Sequence, residues 1–283
     1  MTTTDTPAPR LHVREIDGTA EVAHRADEPV VLASVAKILI VLEFARQAAT
    51  GRIDPAERVV ARRADRLGGT GIADFADDVE LSLRDCASLA MTVSDNTAAD
   101  LIVDRIGVEP VRLLTEELGL DHTRFTGGPR SLLHVLMDGS GTGDGPALHL
   151  PRTYDPARAT SGSMRDLTLL LSLIWTDRAA PPDACAFVRA LMARQLVRAR
   201  IASGFPPPTR VSAKSGTLPG LRQEAGVVEY PDGRRYAVAV SATVTDPDHP
   251  PLETDLALGR AARSAVERLR DQSRTDPPTT ASV

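Results

Sequence analysis

Residues 34–49 read Ser34-Val35-Ala36-Lys37-Ile38-Leu39-Ile40-Val41-Leu42-Glu43-Phe44-Ala45-Arg46-Gln47-Ala48-Ala49. Wound at 3.6 residues per turn, the apolar positions cover nearly the whole circumference. The stretch therefore predicts a helix over Val35–Ala49 that is buried on all sides, with Gly51 as its stop. Ser34 and Lys37 break the apolar run at its very start. Residues three apart lie on one helix face, so the Lys37 amine can reach the Ser34 hydroxyl. A serine hydroxyl is a weak nucleophile until a base takes its proton. The helix start adds unpaired N–H groups and positive dipole, which favour a developing oxyanion.

The pattern on either side predicts where that helix sits. Leu11–Ile16 and Glu21–His24 read as short strands around an Asp17-Gly18 turn. Asp54-Pro55-Ala56-Glu57 has the composition of a capped helix start. Helices are predicted over Leu83–Val93 behind Ser82, Thr97–Ile106 ended by Gly107, and Pro110–Leu118 ended by Gly119. From Thr126 to Thr160 the pattern weakens into a long loop with a flexible tip at Asp138–Gly145. Further helices follow over Met164–Trp175, with Ser163 and Asp166 as a capping box, and over Asp183–Ala193. The period then changes to that of strands at Arg210–Ala213, Ala225–Tyr230 and Arg235–Thr245, the last two joined at Pro231-Asp232-Gly233. Leu256–Arg270 reads as a closing helix. Strands at both ends with helices between predict an α/β three-layer subdomain, its antiparallel sheet built from both termini, plus an inserted all-helical subdomain. The expected boundaries are 11–33 with 205–271 for the first and 34–204 for the second. Residues 1–10 and 272–283 are expected to be disordered tails.

Composition excludes several functions. The 283 residues carry a net charge of -5, and 42% are hydrophobic. This gives no electrostatic case for nucleic acid or an anionic membrane. No apolar run reaches the length of a membrane span, and Met1–Arg10 lacks the pattern of a secretory signal, so a monomer is expected that is cytoplasmic, or secreted if the start is truncated. Cys86 and Cys185 show no zinc or redox spacing and read as buried free thiols. The six histidines do not cluster, and neither metal nor cofactor is expected.

Of the 33 basic residues only Lys37 and Lys214 are lysine. Arginine stays protonated in a protein, whereas a buried lysine can become a neutral base and its ammonium is a compact point charge. The two lysines therefore mark chemistry. Lys37 lies in Ser34-Val35-Ala36-Lys37; Lys214 opens Lys214-Ser215-Gly216-Thr217, where glycine permits a strand to lie close to a ligand. Between them comes Ser94-Asp95-Asn96, at a junction of two predicted helices.

Ser-x-x-Lys, Ser-Asp-Asn and Lys-Ser/Thr-Gly in that order are the signature of class A β-lactamases and penicillin-binding proteins. The chain resembles that family from about Leu11 to Arg270. Arg25-Ala26-Asp27-Glu28, Leu83–Leu101 and Lys214–Gly233 carry the likeness too, which is weakest over Thr126–Thr160. The resemblance implies acylation of Ser34, Lys37 as neutral base, and Ser94 as proton relay to the leaving nitrogen. It implies Asn96 as holder of the substrate amide, and Lys214, Ser215, Gly216 and Thr217 around a substrate carboxylate, with Arg222 as a second anchor. The backbone N–H groups of Ser34 and Thr217 would form the oxyanion hole. The expected substrate is a small amide, lactam or ester with a carboxylate, and β-lactam hydrolysis is the first expectation. A cytoplasmic esterase or D-Ala peptidase of the same fold, and a non-turnover β-lactam or peptide sensor, are the alternatives.

The chain departs from the family at one step. The family's Glu-x-x-Leu-Asn segment, whose glutamate activates the deacylating water, is absent; the corresponding stretch is Thr126-Gly127-Gly128-Pro129-Arg130. Asp155 and Glu224 are the candidate substitutes, with His149 a weaker one. Cys86 occupies a family disulfide position, but Val41 stands where its partner would be.

Overall fold

The computed structural model describes residues 8–138, 154–244 and 250–275. Its main sheet has five antiparallel strands in the order β2-β1-β9-β8-β7. The N-terminal part supplies β1 (Arg10–Glu15) and β2 (Glu21–His24). The C-terminal part supplies β7 (Arg210–Leu218), β8 (Leu221–Glu229) and β9 (Arg235–Thr243). β1 joins the two by pairing with β9 in the register Val13↔Val238. Successive side chains alternate between faces. On β9, Tyr236, Val238 and Val240 meet Leu258, Ala262 and Val266 of the closing helix α8 (Pro251–Thr275), whereas Ala237 and Ala239 join the larger core on the other face. The sheet thus lies between α8 and the remaining helices, so the fold is the expected α/β layer with a helical block.

That block contains α1 (Lys37–Ala49), α2 (Leu83–Thr92), α3 (Asn96–Ile106), α4 (Val108–Glu117), α5 (Pro129–Asp138), α6 (Met164–Trp175) and α7 (Pro182–Met192). α1 is buried around its circumference from Lys37 to Ala45, as its apolar sequence predicts. Two small sheets complete the elements. β3 (Val30–Val31) pairs with β6 (Ser161–Gly162), and β4 (Arg58–Ala61) pairs with β5 (Val79–Ser82).

Four local expectations need correction. Asp54-Pro55-Ala56-Glu57 starts no helix. Asp54 instead accepts the Ala56 N–H in a turn that leads into β4, whose Val59 and Val60 favour a strand. Part of the expected 126–160 loop is α5, which has Pro129 at its first position. At α6, Ser163 accepts the Asp166 N–H, but the Asp166 carboxylate turns to His122 and Thr123 rather than completing a capping box. Finally, Lys214–Thr217 does not follow a strand end; it lies within the nine-residue β7. The expected tip at 138–145, His149 and most of both expected tails lie outside the described residues or their described side chains. Cys86 and Cys185 are buried free thiols, and burial pushes the Cys86 thiol up to about 12.

Candidate active site

Ser34 opens a short 3-10 turn, Ser34–Ala36, that runs straight into α1. Gln223 of β8 fixes the chain just before it. Its side chain accepts the Ala33 N–H at 3.0 Å and donates to the Val31 carbonyl at 2.9 Å. Gly216 of β7 lies directly opposite Gln223. A Cβ at position 216 would stand 3.1 Å from Ala33 Cβ and 3.2 Å from Val35 N. Glycine is therefore what allows the edge strand to press against the Ser34 turn.

Lys37, fully buried, lies one turn beyond. Its Nζ is 3.2 Å from Ser34 Oγ, 2.7 Å from the Ser94 carbonyl, 3.3 Å from Ser94 Oγ and 2.7 Å from Asn96 Oδ1. Ser94 takes a left-handed backbone, φ 64°, which turns its carbonyl and hydroxyl toward the two lysines. Asp95 holds this turn. One carboxylate oxygen caps α3 at the Ala98 N–H, and the other accepts the Ile72 N–H at 2.7 Å. Lys214 reaches Ser94 from the opposite side, Nζ to Oγ 3.0 Å. Ser94 therefore sits between two buried amines. Burial pulls Lys37 down to about 7, against the opposing charges of Asp95 and Asp100. Burial, and then Lys37 itself, push Lys214 well below the usual lysine range.

The remaining Lys214–Thr217 groups follow from the strand period. The Ser215 N–H points off the free edge of β7, where Gln195 Oε1 accepts it. Two residues further, the Thr217 N–H faces the same edge beside Ser34. The Thr217 side chain lies on the α8 face, where Arg200 donates to its Oγ1 at 2.7 Å. Arg200 is buried and also donates to the Gly216 and Gln223 carbonyls and to Asp255 at 2.8 Å. Arg222, opposite Thr217, is half-buried and approaches Asp255 at 4.0 Å.

A cavity of about 130 Å³ lies against Ser34 and Lys37, and Ser94 and Lys214 are not among the residues that line it. Its walls are mainly apolar: Ile40 and Leu67, then Pro129, Leu132, Leu133 and Leu136 of α5. Asn96, Thr160 and Thr217 are the polar residues that line it beside Ser34 and Lys37. Asp100 anchors this wall from behind. It accepts the Arg130 N–H at 3.0 Å, within the first turn of α5. A Cβ on Gly128 would overlap its Oδ1.

A model of the β-lactamase enzyme family matches residues 4–269. The chain belongs to the β-lactamase enzyme family.

The chain is 30% identical over 288 residues to the β-lactamase regulatory protein BlaB of Streptomyces cacaoi, covering 92% of each protein. Solved structures share the fold. A mutant of PBP-A, solved as an acyl-enzyme complex with penicillin G, superposes with a TM-score of 0.73 at 21% identity, over 92% of this chain and 90% of that one. A class A β-lactamase from Mycobacterium abscessus gives 0.78 at 18% identity, over 93% and 95%.

The three motifs read from the sequence converge on Ser34 in the structure. Ser34, Lys37, Ser94, Asn96 and Lys214 come together, with Ser215, Gly216 and Thr217 alongside. Neither candidate substitute for the family glutamate joins them. Asp155 is exposed and accepts the Ala157 N–H in a turn of its own. Glu224 is buried on the α8 face of β8, one residue out of phase with Gln223. There it accepts from the Ile201 N–H at 2.6 Å and from Gln195 at 3.0 Å. Burial pushes its carboxyl upward. Sequence reading missed Arg200, Gln223 and Asp100. Arg200 is one of 31 arginines with no local signal. Gln223 becomes visible only from its register opposite Gly216. Asp100 shares a helix face with Asn96, four residues on, and that spacing was the one available clue. Among the described residues no helix is long and apolar enough to cross a membrane, and no His, Cys, Asp or Glu group is placed to hold a metal.

Proposed function

We propose that this protein is a penicillin-recognising serine acyl-transfer protein in which Ser34 is acylated by a β-lactam or related carboxylate-bearing amide and is released slowly. The carrying observation is the run Ser34–Lys37–Ser94–Lys214, linked at 3.0–3.3 Å along one side of a cleft. A neutral Lys37 has two N–H bonds, and the Ser94 carbonyl and Asn96 Oδ1 occupy them at 2.7 Å. Its lone pair is then left for the Ser34 hydroxyl to donate to. As Oγ bonds to the lactam carbonyl carbon, that proton passes to Lys37. The developing oxyanion is met by the Ser34 and Thr217 N–H groups. When the C–N bond breaks, Ser94 gives its proton to the nitrogen and regains one from Lys37. Lys214, with Thr217 backed by Arg200, offers positive charge and donors to the substrate carboxylate.

Full β-lactam hydrolysis needs water to clear the ester as well. Among the described residues, those lining the cleft on the deacylation side include no carboxylate, and leucines of α5 stand there. This supports slow release. The likeness to a protein named as a β-lactamase regulator also supports a reading in which the acylated state is the signal. Intact-mass measurement after adding a penicillin panel, with peptide mapping, tests the assignment. The expected result is one adduct per chain, on Ser34. An adduct on Ser94, or none with any β-lactam, would overturn it.

A further inference from the structure

We propose that the acyl half of the preferred substrate is apolar and lies in the leucine-walled cavity beside Ser34. This rests on the reading of Ser34 as the acylated residue and adds to it the class of acyl group. Four directions surround the carbon bonded to Ser34 Oγ. One bond leads to Oγ itself. The carbonyl oxygen points to the Ser34 and Thr217 N–H groups, and the leaving group points to Ser94. The acyl carbon chain takes the remaining direction, and the cavity against Ser34 is one that Ser94 and Lys214 do not line. Leu132, Leu133 and Leu136 come from successive turns of α5 and form one wall; Ile40, one turn beyond Lys37, and Leu67 form the others. Against these walls a polar acyl chain would lose hydration, and its hydrogen-bonding partners would be confined to the few polar lining residues such as Asn96, Thr160 and Thr217, which disfavours it.

At about 130 Å³ the cavity is close to the ~150 Å³ apolar space known to take up benzene. It therefore suits an acyl chain of about six carbons. Each methylene moved from water into such walls contributes about a fourfold gain in the rate constant for acylation. The reaction is ordinary ester acyl transfer: Ser34 Oγ bonds to the carbonyl carbon, its proton goes to Lys37, and the phenolate leaves with the electrons of its C–O bond.

The test uses p-nitrophenyl esters from acetyl to decanoyl, with the phenolate burst giving the second-order rate and intact mass locating the ester on Ser34. The rate should climb about fourfold per methylene to about 250-fold at hexanoyl, then level off. A glutaryl ester, which ends in a carboxylate at similar length, should fall near the acetyl value. Leu132→Phe should move the plateau to shorter chains, and Leu136→Ser should flatten the slope. A series flat from acetyl to hexanoyl, with Ser34 still acylated by every ester, would overturn the apolar-pocket proposal while leaving the nucleophile intact. A rate that climbs equally in both variants would also overturn it, by placing the chain elsewhere. Failure of every ester and every β-lactam to label Ser34 would strike at the underlying assignment instead.

Discussion

Lys37 meets two acceptors at 2.7 Å, the Ser94 carbonyl and Asn96 Oδ1, and in the proposed mechanism it acts as base only when neutral. Burial brings its pKa to about 7, so the sign of the pH dependence follows. Below that value the amine is protonated and cannot accept the Ser34 proton. The acylation rate should fall about tenfold per pH unit below 7 and level off above it, as measured by stopped-flow burst rates over pH 5–9. A rate independent of pH across that range would remove Lys37 from the base role. Substitution gives a second check. In Lys37→Arg the side chain stays charged, and the rate should drop about 10²-fold or more, typical of losing a general base. Lys214→Arg should also slow acylation, by less, because its compact ammonium fits between Ser94 Oγ and the Ser215 carbonyl. Near-normal rates in either variant would reduce the lysines to surface charge. At this scale the lysines were legible because they are rare in an arginine-rich chain. Arg200 and Gln223 were not, since their roles depend on strand register and face, which composition does not reveal.

Helix α5 shows how one buried carboxylate can position a wall of the site. Asp100 of α3 accepts the Arg130 N–H in the first turn of α5, and its carboxyl is raised to about 6, mainly by burial. The folded protein therefore binds this proton more tightly than the unfolded chain does. The cost of ionising Asp100 grows as pH rises from about 4 to about 6 and stays in full above that. Asp100→Asn keeps a carbonyl acceptor for Arg130 and removes the charge. It should stabilise the protein by about 2 kcal/mol at pH 8 and by almost nothing at pH 4, read from urea unfolding at both values. An equal difference at the two pH values would mean that the effect is packing rather than ionisation. The sequence concealed α5 because Gly127, Gly128 and Pro129 read as loop punctuation, although proline is well suited to a first helical position. It likewise concealed the β4–β5 hairpin, whose two strands are four residues each and have a long connection between them. Long apolar helices such as α1 and α6 were legible, since their periodicity survives without tertiary context.

Across the whole molecule, the order of elements carried the fold: strands at both ends, helices between, and one sheet closed by pairing of β1 with β9. That closure presses the edge strand β7 against the Ser34 turn and brings Lys214 to Ser94, a residue 120 positions earlier. On the proposed reading, the acylation half of the site thus comes from three separated motifs, each visible in the sequence, assembled by a topology that was also legible. The deacylation half was legible only as a missing motif. The leucines of α5 that line the cavity beside Ser34, with the first turn of that helix held by Asp100, emerged only from packing. If these halves are unequal, a time course with benzylpenicillin will separate acylation from release. Enzyme at a few micromolar is mixed with excess penicillin and quenched from milliseconds to hours, with intact mass and free penicilloate followed together. An adduct carrying the full penicillin mass should appear stoichiometrically on Ser34, as about one equivalent of rapid ring opening, with penicilloate released only slowly afterwards. Rapid accumulation of penicilloate over many turnovers, with no adduct at any time point, would contradict that expectation.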